Sequence, residues 1–104
     1  MVHSKNKGAR FEREVAGILR DNGFEARRGC QFAGGQDSPD VVSDFPFHIE
    51  CKFVEKLNLA NALEQAKQDS GGNEYCVIHR KKNQECMITM PLDQFLKHNN
   101  NGNT

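Results

Sequence analysis

No run of apolar residues in this chain approaches the roughly 20 needed to cross a bilayer. The opening segment MVHSKNKGAR has no apolar core of the kind an export signal carries. No membrane partner is expected, and an intracellular, cytoplasmic location is. The four cysteines, Cys30, Cys51, Cys76 and Cys86, form no CxxC pair, and neither His79 nor His98 stands at zinc-finger spacing from them. Cys51, Cys76 and Cys86 fall within apolar runs, where a reduced thiol behaves as a small buried hydrophobe, so they are expected to be structural. Internal repeats are also missing. So is net charge: 14 basic residues balance 14 acidic ones, and bulk electrostatics gives no attraction toward nucleic acid.

The basic residues are nevertheless clustered. Lys5, Lys7 and Arg10 open the chain without an acid among them, Arg27 and Arg28 are adjacent, and Arg80-Lys81-Lys82 form a triplet. Such clusters suit either a solvated surface or phosphate contacts. At 104 residues the chain has the length of one domain and buries about two-thirds of its unfolded surface, enough to fold without staples. One domain is expected over residues 1–98, followed by a disordered polar tail, residues 99–104, NNNGNT in its last six positions.

The stretch GARFEREVAGILRDNG predicts a helix, with Phe11, Val15, Ala16, Ile18 and Leu19 on one broad arc and Gly23 at its C-terminal stop. FEARR, Phe24 to Arg28, predicts a short strand. Residues 29–38, GCQFAGGQDS, form a glycine-containing loop; Pro39 then biases the chain toward a strand beginning at Asp40. FHIECKF, Phe47 to Phe53, alternates apolar and polar residues as a strand with two unlike faces does. Asn58 to Asp69 predicts a second helix with Asn58 as its N-cap. YCVIHR and CMITM, joined by KKNQE, predict a hairpin, and Pro91 opens a final helix through His98. The order α-β-β-β-α-β-β-α predicts an α/β protein with a mixed central sheet of about five strands flanked by helices.

Within FHIECKF, Glu50 and Lys52 share a face about 6.5–7 Å apart. A carboxylate suits a hard divalent cation, and an ammonium beside it can orient or deprotonate a water. An ExK triplet arises by chance about 0.4 times in a chain this long, so an exposed ion pair is the bland alternative. Asp40 adds weight: an antiparallel neighbour brings it within reach of Glu50, and two close carboxylates call for a cation between them. Its alternative is a turn cap after Ser38-Pro39. Glu12 falls inside the apolar arc of the first helix, where a carboxylate needs a partner, a metal or Lys52; otherwise it leans out to solvent from the border. Gln65 lies off the apolar arc of the second helix, either at the rim of a site or facing water. His48 is expected at the rim rather than in contact with the site.

Taken together, GARFEREVAGILRDNGFEARR, a glycine loop, PD, and IECK resemble the PD-(D/E)XK nuclease superfamily, and within it the Holliday-junction resolvases of archaeal type and their small phage-encoded relatives. The resemblance runs from about Lys7 to Lys97 and implies a restriction-endonuclease-like fold. It implies a Mg²⁺- or Mn²⁺-dependent endodeoxyribonuclease of DNA recombination, acting on branched DNA as a homodimer. Carried over by position, Glu12, Asp40, Glu50 and Lys52 are the catalytic residues. Asp40, Glu50, the Cys51 main-chain carbonyl and Glu12 are the metal ligands. Arg28 matches a basic residue at the end of the family's first strand. Arg10, Arg27, Gln36, Arg80, Lys81 and Lys82 are further candidate DNA contacts. Resolvases of this type often carry a serine in the loop after the first strand; here the only serine of that loop is Ser38, directly before Pro39. That departure bears on junction specificity more than on nuclease chemistry. A less selective duplex-cutting or nicking enzyme, and a non-catalytic nucleic-acid-binding module, are the alternatives.

Overall fold

A computed structural model describes residues 3–29 and 39–100 of the chain. Helix α1 (His3–Asp21) leads into strands β1 (Ala26–Arg28), β2 (Val41–Ser43) and β3 (His48–Phe53). Helix α2 (Leu59–Asp69), strands β4 (Tyr75–Arg80) and β5 (Met87–Thr89), and helix α3 (Leu92–Asn100) complete the order expected from the sequence. The five strands form one sheet in the order β1-β2-β3-β4-β5. β3 and β4 are parallel and every other pairing is antiparallel. A parallel pair needs a crossover connection, and α2 supplies it. Among the described residues, no helix is long and apolar enough to cross a membrane.

The sheet is covered on both faces. Phe11, Val15, Ala16 and Leu19 of α1 pack with Val41, Ile49, Cys76 and Ile78 to form the main core. On the opposite face Ala62 and Ala66 of α2 pack on Val77. The apolar parity of β3 thus lies against the α1 core, and the parity of Glu50 and Lys52 lies on the side of α2. Cys51, Cys76 and Cys86 are free thiols; burial holds all three above the ordinary thiol pKa, Cys76 at about 12.

The differences from expectation lie at element ends. α1 begins at His3, five residues before the predicted start at Gly8, because its first turns are polar and carry no apolar period. Ile18 is 43% exposed: at 100° per residue the stripe set by Phe11, Val15, Ala16 and Leu19 centres between Val15 and Leu19 and leaves Ile18 at its edge. α1 closes in a Schellman-type turn, with the Phe24 N–H donating to Leu19 O (3.0 Å) and Gly23 N–H to Arg20 O (3.1 Å). Gly23, at φ +94°, takes the left-handed position. Phe24 is thereby used by the turn, and β1 starts at Ala26 rather than Phe24.

α3 runs to Asn100, into the segment expected to be tail; residues 101–104 lie outside the described residues. It docks through Gln94, whose Oε1 accepts the Tyr75 N–H (3.0 Å) and whose Nε2 donates to Tyr75 O (2.9 Å). Its Leu92, Phe95 and Leu96, like Met87 and Ile88 on the edge strand β5, remain exposed.

Candidate active site

Asp40 stands just before β2, and its main chain is fixed from both neighbouring strands. Its N–H donates to Ile49 O (2.9 Å), and its carbonyl accepts the Gly29 N–H (2.7 Å). The side chain is fixed as well, with Oδ2 accepting the Cys51 N–H at 2.8 Å. Gly29 is required here, because a Cβ at that position would collide with the Pro39 carbonyl oxygen. The antiparallel register Val41↔Ile49 therefore sets Asp40 beside the strand that carries Glu50 and Lys52.

Glu50 is only 7% exposed. Burial pushes its carboxyl up to about 8, Asp40 and Asp69 push in the same direction, and Lys52 opposes them. Its contact with Asp40 is close enough for a side-chain hydrogen bond, so the expected pairing of two carboxylates is present. Lys52 follows two residues along the same face of β3, with His79 as its neighbour across β4. Burial lowers the pKa of His79, favouring the neutral ring, and His79 Nε2 shares a hydrogen bond with Thr89 Oγ1 at 2.8 Å.

Glu12 is partly buried, as the wheel indicated, and the side chain that meets it is Arg28 rather than Lys52. Arg28 Nε donates to Glu12 Oε1 at 2.7 Å. Burial raises the pKa of Glu12, and the nearby charge of Asp40 raises it further against the pull of Arg28. Arg28, expected as a phosphate contact, thus reaches the site through Glu12.

His48 does not sit apart at the rim. Its Nε2 lies 2.7 Å from Glu50 Oε2, with both side chains less than a tenth exposed. Asp69, which the sequence did not single out, lies close enough to raise the pKa of Glu50. Gln65 touches the site through it, donating from Nε2 to both Asp69 carboxylate oxygens at 3.1 Å. His48 and Asp69 also line a cleft of about 830 Å³ shared with Pro39, Phe47 and Gly72. The sequence leaves the polar stripe of α2 open between the rim of a site and water; the packing of α2 on the sheet brings its Asp69 end near Glu50.

The basic residues separate into two groups. Arg27 is exposed on β1, beside a hollow that Arg20 also lines. At the far end of β3 and β4, Arg10, Arg80 and Lys82 meet Lys7 around a cleft of about 530 Å³ floored by Phe11 and Phe53. The Arg80 guanidinium lies 4.6 Å over the Phe53 ring and donates to Glu14 Oε1 at 2.8 Å. The Lys7 ammonium lies 4.8 Å over the same ring. Lys81 is exposed in the β4–β5 turn. Gln36 and Ser38 lie outside the described residues.

Among the described residues, no group of three or more His, Cys, Asp or Glu side chains is arranged to hold a metal ion. The acids Glu12, Asp40, Glu50 and Asp69 nonetheless act on one another, with Arg28, Arg13 and Lys52 as the opposing cations. Mg²⁺ is commonly held by one or two carboxylates with water completing the shell, and the Asp40–Glu50 pair fits that requirement. In a strand the N–H and C=O of one residue point to the same side, so the Cys51 carbonyl faces the side on which its N–H meets Asp40.

A mixed five-stranded sheet with a helix on each face, an acid before its second strand and an ExK strand at its centre defines a nuclease of restriction-endonuclease-like, PD-(D/E)XK class. The family model for phage PDDEXK endonucleases matches residues 3–103, and the chain belongs to that family. The structure is similar to that of Archaeoglobus fulgidus Hjc, a Holliday junction resolvase from an archaeal hyperthermophile. The TM-score is 0.59, with 29% sequence identity over 81% of this chain and 72% of that one. No curated protein matches the sequence.

Proposed function

We propose that this protein is a Mg²⁺- or Mn²⁺-dependent endodeoxyribonuclease that cleaves branched DNA. The observation that carries the reading is the Asp40–Glu50 pair, Glu50 buried and Asp40 half-buried with its Oδ2 2.8 Å from the Cys51 main-chain nitrogen, followed along the strand by Lys52. Asp40, Glu50 and the Cys51 carbonyl would hold the cation, with Glu12 toward a second ion or a water. Bound there, a divalent cation would polarise the scissile phosphate and acidify a water. Lys52 stands where its ammonium can orient that water and stabilise charge developing on the phosphate. Arg28 keeps the Glu12 carboxylate in place. Lys7, Arg10 and Lys82 would hold the DNA backbone beyond the end of β3, with Arg27 on the other flank.

The similarity to an archaeal resolvase supports branched DNA as the substrate, and a homodimer is part of the same reading. Apolar side chains left open on β5 and α3 support a second copy as partner, which equilibrium sedimentation tests. The only serine of the loop after β1 is Ser38, directly before Pro39, a departure from the resolvase pattern that supports a second reading, a less selective duplex or nicking enzyme.

One experiment separates these readings. Labelled four-way junction, linear duplex and single-stranded DNA are incubated with Mg²⁺, Mn²⁺ or EDTA, with Lys52→Ala and Asp40→Asn alongside. Paired symmetric nicks in the junction, lost in EDTA and in both variants, are expected. Equal cutting of all substrates would retain the chemistry and remove the junction preference. Binding without cleavage in either metal would overturn the enzyme reading in favour of a non-catalytic module.

A further inference from the structure

We infer that His48 is a positioning residue for metal binding: it fixes one carboxylate oxygen of Glu50 so that the other is turned toward Asp40. The inference rests on the cation site proposed above and adds to it a residue outside the ExK pattern.

His48 and Glu50 are i and i+2 on β3, side by side on the face that α2 covers. The Nε2···Oε2 distance is 2.7 Å, at the short end of N–H···O hydrogen bonds. Both side chains are about nine-tenths buried, at 8% and 9% exposure, so water does not compete for the contact. A glutamate side chain has three rotatable bonds, and ordering it costs conformational entropy. Anchoring Oε2 removes much of that freedom before any cation arrives.

The anchor is itself built into the sheet. The His48 N–H donates to Glu74 O at 2.8 Å, and His48 is the first residue in the parallel register with β4, opposite Tyr75. His48 also lines the 830 Å³ cleft together with Asp69. Its Nε2 meets Glu50 at Oε2, and the same carboxyl group lies within reach of Asp40. Asp40 is anchored in a parallel way, through the Cys51 N–H on Oδ2. Each carboxylate is thus held at one oxygen by the protein, an arrangement that outer partners of metal ligands typically provide.

The test compares Mn²⁺ affinity, by titration calorimetry on the full chain, of the wild type, His48→Gln and His48→Leu. Glutamine keeps an N–H donor of similar reach; leucine keeps volume and removes the donor. His48→Leu is expected to bind Mn²⁺ about 10–100-fold more weakly, the usual cost of losing an outer partner, while His48→Gln stays near wild type. Thermal unfolding in EDTA shows that the variants compared are folded; if the leucine variant is not, His48→Asn, whose amide is too short to reach Oε2, takes its place. Wild-type affinity in the donor-less variant, or equal loss in His48→Gln, would overturn the positioning role. Failure of the underlying site looks different: the wild type itself would then bind no Mn²⁺, or bind it as tightly with Asp40→Asn as without.

Discussion

The main-chain N–H of Cys51 donates to Asp40 Oδ2 at 2.8 Å, joining the acid before β2 to the strand that carries Glu50 and Lys52. Asparagine can offer its carbonyl oxygen to the same N–H. Asp40→Asn is therefore expected to keep the fold, with an unfolding midpoint in EDTA close to that of the wild type. DNA cleavage is expected to fall about 100-fold or more, the scale of losing one charge contact in a transition state. A midpoint several degrees lower would show instead that Asp40 is needed mainly for structure.

Burial, reinforced by Asp40 and Asp69, moves the Glu50 carboxyl from its ordinary 4.5 to about 8. The native state then keeps a proton that the unfolded chain has already released. Stability from this group is full below about pH 4.5 and is lost as pH rises toward 8, each pKa unit being worth about 1.4 kcal/mol. Glu12, also raised by burial, adds in the same direction. In EDTA the unfolding midpoint should fall across this window, and Glu50→Gln should flatten the fall. Mn²⁺ binding near neutral pH should release about one proton, read as a dependence of the calorimetric heat on buffer ionisation. Heat independent of buffer would rule out a protonated Glu50 in the metal-free protein.

Lys7 and Lys82 line the cleft floored by Phe53. If both contact phosphates, Lys7→Ala and Lys82→Ala should each lower the slope of log affinity against log salt by about 1, across all DNA substrates. Arg80→Ala is a poorer probe, because it also removes the packing on Phe53 and the ion pair with Glu14. Unchanged slopes in both lysine variants would place the DNA elsewhere.

Two glycine substitutions should act in opposite directions. Gly29→Ala forces a Cβ against the Pro39 carbonyl and crowds Asp40 O. It should destabilise the protein by about 1–3 kcal/mol, the usual cost of overpacking, and weaken Mn²⁺ binding with it. Gly17→Ala, inside α1 with only Arg20 Nη2 near the added methyl, should stabilise by roughly 0.5–1 kcal/mol. Denaturant unfolding measures both.

What the sequence made legible was local chemistry. Asn58 caps α2 as its side chain suggested, with Oδ1 accepting the Asn61 N–H at 3.1 Å. The alternation from Phe47 to Phe53 placed Ile49 and Cys51 toward one core, and the short turn before it implied the antiparallel pairing that brings Asp40 to Glu50. What stayed hidden were partners set by packing between elements. Periodicity showed that Glu12 faces inward but not that Arg28, 16 residues on, would meet it. Asp69 read as one more polar residue on α2 because nothing local records which strand a helix end overlies. His48 was placed at the rim for a similar reason: alternation assigns a face, and the rotamers on that face decide the contact.

The parallel pairing of β3 with β4 also bears on how the protein comes apart. Those strands cannot pair until the intervening chain, α2 included, has folded back, so the centre of the sheet forms late and opens only with cooperative unfolding. β3 has a hydrogen-bonded neighbour on each side, whereas β1 and β5 are edges. The amides of β3 should therefore exchange with solvent only through global opening, while those of β5 and α3 exchange sooner. The strand bearing Glu50 and Lys52 would stay intact until the whole domain melts, so heat would remove catalysis and fold together.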